Sequence, residues 1–251
     1  MALVLLEKKD AVGVLTLNRP EVKNALNMAL FEELNRVLDA IKEDQEVKAF
    51  VVTGAGDSFV SGADVNELLS MDLKQGFEAS RFQQSVFDKL EKLGKPSVAA
   101  IKGYCLGGGL ELALSCTFRI AARDARLGFP ELRFGIIPAF GGTERLIRTV
   151  GFPKALEVLL FQRILTGEEA ERIGLVNLSC APEELEDVAM KWALDLTKVN
   201  PFCMKLALEL FYRGVSKGME EDLAFESALA ALLVATEEAK ELLRAFVQKR
   251  R

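Results

Sequence analysis

Residues Gly103 to Leu114 read GYCLGGGLELAL, and the architecture of the chain turns on how they are parsed. Gly107, Gly108 and Gly109 separate a β-like run, Ser97 to Ile101, from an apolar helical run, Leu110 to Leu114. Glycine has no Cβ, so the backbone can turn sharply there and a ligand can approach its N–H groups closely. A helix that begins at such a turn presents unpaired N–H groups and partial positive charge to whatever lies in front of it. Glu111 sits inside the apolar run. Taken alone, the stretch fits a steric strand-to-helix turn with a helix-start acid as well as it fits a ligand site.

Working outward, Lys95-Pro96 opens the strand before the glycines, and Phe118 to Ala122 reads as a strand after them. Upstream, Leu3 to Leu6 and Val12 to Leu17 read as a hairpin joined by the charged turn Glu7 to Asp10. Phe31, Leu34, Leu38 and Ile41 recur at helical spacing with charged residues between them, which predicts an amphipathic helix. Ala49 to Thr53 reads as a buried strand, and Asp64 is placed to cap a helix after the Phe59 to Ala63 loop. Met71 to Gly94 reads as one mixed helical segment with Gly76 inside it, expected to be mobile or to wall a pocket. Downstream, Glu144 to Val150 and Pro153 to Phe161 read as helices, and Thr166 with Glu169 predicts a capping box for a helix over Glu168 to Ile173. A strand over Leu175 to Leu178 follows, then helices over Glu183 to Lys198, Pro201 to Arg213, Met219 to Ala235 and Glu237 to Gln248. Strands alternating with helices, then helices alone, predict an α/β core with an all-helical C-terminal appendage.

Composition narrows the function. The 251 residues are 50% hydrophobic with a formal net charge of −5, enough to bury a full core and a poor match to a nucleic-acid surface. No apolar run reaches membrane-spanning length, and charge at Glu7 comes too early for a signal peptide. Cys105, Cys116, Cys180 and Cys203 show no paired spacing, so a reduced, cytoplasmic chain without structural zinc is expected. The cysteines read as core fillers in apolar settings. The chain has no histidine, which excludes Ser-His-Asp and Cys-His catalysis and leaves neutral-pH proton transfer to carboxylates, cysteine, lysine, tyrosine or the chain termini. Rossmann, Walker A and nucleophile-elbow patterns are absent.

Two glutamates stand in apolar, glycine-flanked settings: Glu111 in GGGLELAL and Glu131 in LGFPELRFG. Desolvation raises a carboxyl pKa and a nearby helix N-terminus lowers it, so the sequence leaves the net sign open. Two such groups facing one substrate could divide acid and base roles. For Glu131 the ordinary reading is a helix start, with Pro130 at the first helical position. Glu111 is harder to explain that way, because its helix is apolar on every side.

At this point the chain resembles the crotonase (enoyl-CoA hydratase/isomerase) superfamily. The resemblance rests on LNRPEVKNAL (Leu17 to Leu26), FVSGAD (Phe59 to Asp64), KPSVAAIKGYCLGGGLELALSC (Lys95 to Cys116) and FPELRFGIIPAFGGTERL (Phe129 to Leu146). LTGEEAERIGLVN (Leu165 to Asn177) and AFVQKRR (Ala245 to Arg251) continue it in the same order. The resemblance implies an α/β fold, a crotonase-type spiral of ββα units over residues 1–195. An all-helical region over 196–251 would build a trimer or a dimer of trimers. It also implies an acyl-CoA thioester substrate, with no metal and no other cofactor.

By the same resemblance, the N–H groups of Ala63 and Gly108 would form an oxyanion hole for the thioester oxygen. Glu111 would activate the water that attacks Cβ of a trans-2-enoyl-CoA, and Glu131 would deliver the proton to Cα. Val22, Ala25, Ser61, Ala63, Asp64, Val65, Asn66, Gly108 and Pro130 would contact substrate or CoA, with Phe246 and Lys249 approaching from the C-terminal helix. The Ala139 N–H would position the water, with Phe140 adding bulk beside it, and Met71, Phe82 and Phe87 could set acyl-chain length. The intact glutamate pair points to hydration. The alternatives are isomerisation, dehydration of a branched or cyclic acyl-CoA, or a non-catalytic RNA-binding relative.

Overall fold

The structure, a computed structural model, describes residues 2–214. The expected helices over 219–235 and 237–248, and with them Phe246 and Lys249, lie outside the described residues. The chain divides into two compact units, Met1–Lys198 and Val199–Arg251.

In chain order the first unit runs β1 (Val4–Lys9), β2 (Val12–Leu17), α1 (Met28–Glu43), β3 (Ala49–Gly54), α2 (Val65–Ser70), α3 (Leu73–Glu91) and β4 (Ser97–Ile101). Then come β5 (Tyr104–Leu106), α4 (Gly108–Ser115), β6 (Phe118–Ala122), β7 (Arg126–Gly128), a 3-10 turn (Glu131–Phe134), α5 (Gly142–Val150) and α6 (Phe152–Leu160). β8 (Ile164–Thr166), α7 (Gly167–Arg172), β9 (Leu178–Cys180) and α8 (Leu185–Leu196) complete it. In the second unit the described element is α9 (Pro201–Gly214).

Among the described residues two sheets form, one of six strands in the order β1-β2-β3-β4-β6-β9 and one of three in the order β5-β7-β8. β1 and β2 are an antiparallel hairpin, and from β2 outward every pairing in the large sheet is parallel. A chain leaving the large sheet crosses to the small one and returns through a helix: β4-β5-α4 is one such ββα unit. The crossing after β4 is made at Gly103, with φ +52°, where a Cβ would lie 2.1 Å from the Asp57 carbonyl oxygen. Only glycine fits that approach.

Local signals explain the elements. Asn27 caps α1, accepting from the Leu30 N–H at 3.0 Å. The α1 stripe Leu30, Phe31, Leu34, Leu38 and Ile41 is wholly buried, as its spacing predicts. Asp64 caps α2 and Thr166 with Glu169 closes the capping box of α7, both as expected. Segment 71–94 holds one helix, α3, which Asp72 starts with its own capping box to Gln75, and Met71 marks the break between α2 and α3.

Other expectations shift. β1 extends through Lys9, so the charged turn is shorter than its composition suggests. The strand expected at Leu175 to Leu178 lies instead at Leu178–Cys180. The Leu175 and Val176 N–H groups both donate to the Ala170 carbonyl, completing the end of α7. β5, β7 and β8 were not anticipated; each has three residues, too few for an alternation pattern to show.

Asn24 fastens the loop that precedes α1. Fully buried with φ +58°, it sends Nδ2 toward the carbonyls of Ala55, Ser58 and Phe59 at 2.9–3.1 Å, and its Oδ1 accepts from the Arg19 N–H at 2.9 Å. Asparagine tolerates that backbone conformation better than most residues. Asn24→Ala strands these buried polar groups without their partner. A loss of about 3 kcal/mol in urea unfolding is expected, whereas an unchanged midpoint would show that the loop does not depend on this residue.

Candidate active site

The three glycines are each required for a different reason. Gly107 has φ +52° and ψ −123°, and a Cβ there would also lie 2.6 Å from Glu131 Oε1. At Gly108 a Cβ would meet the Phe140 ring at 2.8 Å, and at Gly109 the Val60 carbonyl oxygen at 2.3 Å. The sequence alternatives of steric turn and functional turn are therefore not exclusive. Close packing of α4 against Val60 is what brings the Ser61 to Asp64 loop beside the helix start.

Along that loop, the Leu26 N–H donates to Gly62 O and the Asp64 N–H donates to Leu26 O, both at 2.8 Å. Leu26 and Ala63 thus form a short parallel bridge. In such a bridge Leu26 uses the groups flanking Ala63, so the Ala63 N–H faces the opposite edge. Val60 meets Cys105 in a second bridge, and the glycine turn follows from there. Gly108 is the first residue of α4, where an N–H has no partner within the helix.

Every residue of α4 is buried, Glu111 included. Its Oε1 accepts from the Phe140 N–H at 2.8 Å and the Gly142 N–H at 2.7 Å. A Cβ on Gly142 would sit 2.5 Å from Glu111 Cγ, so α5 begins in contact with this side chain. Burial pushes the Glu111 carboxyl up to about 7, opposed by the two N–H donors and the Arg145 guanidinium.

Glu131 starts the 3-10 turn, one place after Pro130, which is the residue before the turn rather than its first. Its Oε2 is buried and has no hydrogen-bond partner among the described residues. Burial, with a further push from Glu111, raises it to about 7 as well. The sign left open by the sequence is therefore upward for both, with desolvation winning. Equal affinities do not mean equal roles. Two N–H donors favour the ionised form of Glu111, while the orphaned Oε2 of Glu131 suits a protonated carboxyl.

Several of the remaining expected site residues are exposed or are held by structural contacts. Val22 and Val65 are exposed, at 40% and 62%. Ser61 Oγ donates to Val22 O at 3.3 Å, tying two of these positions together. The Asp64 carboxylate is committed to Arg19 at 3.1 Å and to the Asn66 N–H. The Phe140 ring packs into an aromatic cluster with Phe31 and Phe87, at 5.4 and 6.0 Å between centroids. Phe87 is therefore core rather than pocket wall, while Met71 and Phe82 line a cavity of about 560 Å³ with Met28. Cys105, Cys116 and Cys180 are buried and free, and burial pushes Cys116 up to about 12. These three are fillers, as expected, and burial raises each thiol above its ordinary value.

Sequence reasoning missed the donors that hold Glu111. Backbone N–H groups carry no residue signature, and the only clue was the glycine pair Gly141-Gly142. It also missed Arg145, which is 5% exposed. Its place in GGTERL reads as an ordinary amphipathic cation.

The raised carboxyls make a stability claim. A carboxyl bound more tightly to its proton in the folded state stabilises the fold below its unfolded value near 4.5, and that contribution is lost as pH rises through about 7. Relative to wild type, Glu131→Gln is expected to gain melting temperature between about pH 5 and about pH 8. A constant difference across that range would contradict the raised affinity.

Comparison with known proteins identifies the family. The sequence matches the profile of the Enoyl-CoA hydratase/isomerase family over residues 7–251. It is 41% identical to the short-chain-enoyl-CoA hydratase of Clostridium acetobutylicum over 99% of this chain and 95% of that protein. It is 37% identical to the crotonyl-CoA hydratase of Syntrophomonas wolfei over 99% and 96% of the two chains. The crystal structure of an enoyl-CoA hydratase from Bacillus anthracis superposes with a TM-score of 0.93, at 34% identity, over 98% of this chain and 96% of that one. Matched over residues 7–251 by the family profile and at 34–41% identity over nearly the whole length of these relatives, the chain belongs to the enoyl-CoA hydratase/isomerase family.

Proposed function

We propose that this protein is an enoyl-CoA hydratase, adding water reversibly across the 2,3 double bond of a trans-2-enoyl-CoA. The observation that carries the reading is the pair of buried glutamates, both raised to about 7, one held by N–H donors and the other left with an unpartnered oxygen. Such a pair shares about one proton at neutral pH, which is what a base and an acid acting together need.

In this mechanism Glu111 accepts a proton from water as the water oxygen bonds to Cβ. Electrons of the double bond move onto the thioester, giving an enolate. The N–H groups of Ala63 and Gly108 hold its oxygen, and donors fixed beforehand stabilise such charge at no reorganisation cost. Glu131 then protonates Cα. The sum is H and OH added and one proton passed from Glu131 to Glu111, which exchange with solvent restores. No electrons leave the substrate, so no redox cofactor is required. The pantetheine arm would run past Ala63 to Asn66, with Val22, Ala25 and Ser61 flanking the CoA, Pro130 closing on the acyl group and the Ala139 N–H meeting the water.

The relatives named for short chains make crotonyl-CoA the first substrate to test. The helical region beyond the core would build a trimer or a dimer of trimers. Exposed Phe134, Ile137, Phe152 and Phe161, each at least 60% accessible in the single chain, support such an assembly. The free, buried cysteines fit a reducing, cytoplasmic setting.

Loss of the conjugated-thioester absorbance of crotonyl-CoA is expected. Glu111→Gln and Glu131→Gln should each lower kcat by about 10² or more, and a near-wild-type rate in either removes that residue from its role. The kcat/KM profile should be bell-shaped around pH 7, because activity needs Glu111 ionised and Glu131 protonated together. A profile flat from about pH 5 to about pH 9 would contradict the pairing.

A further inference from the structure

The turn that holds Glu111 is itself bolted to α3. Ser80 Oγ donates to the Ala139 carbonyl at 2.7 Å, and Gln84 Nε2 donates to the same oxygen at 2.9 Å. Farther along α3, Asp88 and Glu91 bind the buried Arg145 guanidinium, at 2.6 Å to Nη2 and 2.8 Å to Nε. Arg145 Nη1 in turn donates to the Phe140 carbonyl at 3.1 Å. Positions 80, 84, 88 and 91 recur at three- and four-residue spacing, so they line one face of the helix.

Peptide geometry converts these contacts into a statement about Glu111. The Ala139 C=O and the Phe140 N–H belong to one planar trans peptide and point in opposite directions. Pulling the oxygen toward α3 therefore aims the N–H away from α3, at Glu111 Oε1. The next peptides are fixed too. Arg145 Nη1 holds the Phe140 oxygen, and the Arg145 N–H meets the Gly141 oxygen at 3.3 Å. The Gly142 N–H shares a peptide with that last oxygen, and it is the second donor to Glu111.

We propose that Ser80 and Gln84, seconded by Arg145, are positioning residues that aim the Phe140 and Gly142 N–H groups at Glu111 and thereby keep it ionised for the water. They touch neither the water nor the thioester and act through the 139–142 turn. The proposal rests on the reading of Glu111 as the base.

Other charges bear on Glu111 from the elements around it. The turn at 131–134 brings Glu131, which disfavours a second negative charge. α5 brings Arg145, whose charge lowers the Glu111 affinity for a proton, with Asp88 and Glu91 of α3 on the guanidinium's far side. Arg148 stands 4.0 Å from Glu91. Removing the Ser80 and Gln84 donors leaves these groups in place; it also releases Arg81 of the same helix, whose Nη1 donates to Gln84 Oε1 at 2.8 Å, so Arg81→Ala is the control for that pair.

The test is Ser80→Ala combined with Gln84→Met, both at half-buried positions where the helix can keep its form. With crotonyl-CoA, kcat is expected to fall about tenfold to 10²-fold with KM nearly unchanged, the cost of a slightly misplaced group. The acidic limb of kcat/KM should move to higher pH, because Glu111 loses N–H donors that favour its charge. Ser80→Thr, which keeps the hydroxyl, should retain the wild-type profile. In a Glu111→Gln background the double substitution should cost nothing further, as groups acting as one unit are not additive. An unmoved acidic limb with normal kcat, or a rise in KM alone, overturns the proposal. Should Glu111→Gln itself be fully active, the reading of Glu111 as base fails instead, so the two failures are told apart.

Discussion

A carboxylate inside an apolar helix is the constraint around which the rest is arranged. Glu111 is 1% exposed on α4, a helix whose other residues are all buried. Leaving it there unpaired would be prohibitive, and the two N–H donors from the 140–142 turn make it tolerable without neutralising it. Burial still wins by enough to bring the carboxyl to about 7. A stronger clamp would hold it ionised far below neutrality, and a weaker one would leave it a neutral acid. Function needs the balance between these limits.

That balance dictates features far along the chain. The turn must approach Glu111 closely, which requires glycine at 142. The helix start must pass Glu131 and Val60 closely, which requires glycine at 107 and 109. The Phe59 to Asp64 loop must lie against the same helix, and Asn24 and the Arg19–Asp64 pair hold it there. Much of what looks like scaffold is thus a means of placing backbone N–H groups. Holding two raised carboxyls in the fold costs stability at neutral pH, a common expense of sites whose polar groups await a substrate.

Legibility in the sequence follows the kind of signal each feature leaves. The α1 stripe and the strands Val12–Leu17, Ser97–Ile101 and Phe118–Ala122 were readable because burial imposes periodicity or unbroken apolar runs. Capping at Asp64 and Thr166 was readable because a side chain does the work. The three-residue strands of the second sheet were not, since their pairing is decided by distant partners. Glu111 and Glu131 could be singled out as carboxylates out of place, but their proton affinities could not, because burial and N–H donors pull in opposite directions. The donors belong to Phe140 and Gly142, about thirty residues away, and nothing in those side chains announces it.

The central claim is that one proton is shared unequally by two buried carboxyls, residing on Glu131 while Glu111 stays charged. A pH titration of the glutamate carboxyl carbons by NMR, assigned with the two Glu→Gln variants, measures this directly. The account predicts two macroscopic steps on either side of about 7 in the wild type. It also predicts a lower value for Glu131 once Glu111→Gln removes the neighbouring charge. Two independent titrations near 4.5, unmoved by either substitution, would contradict it.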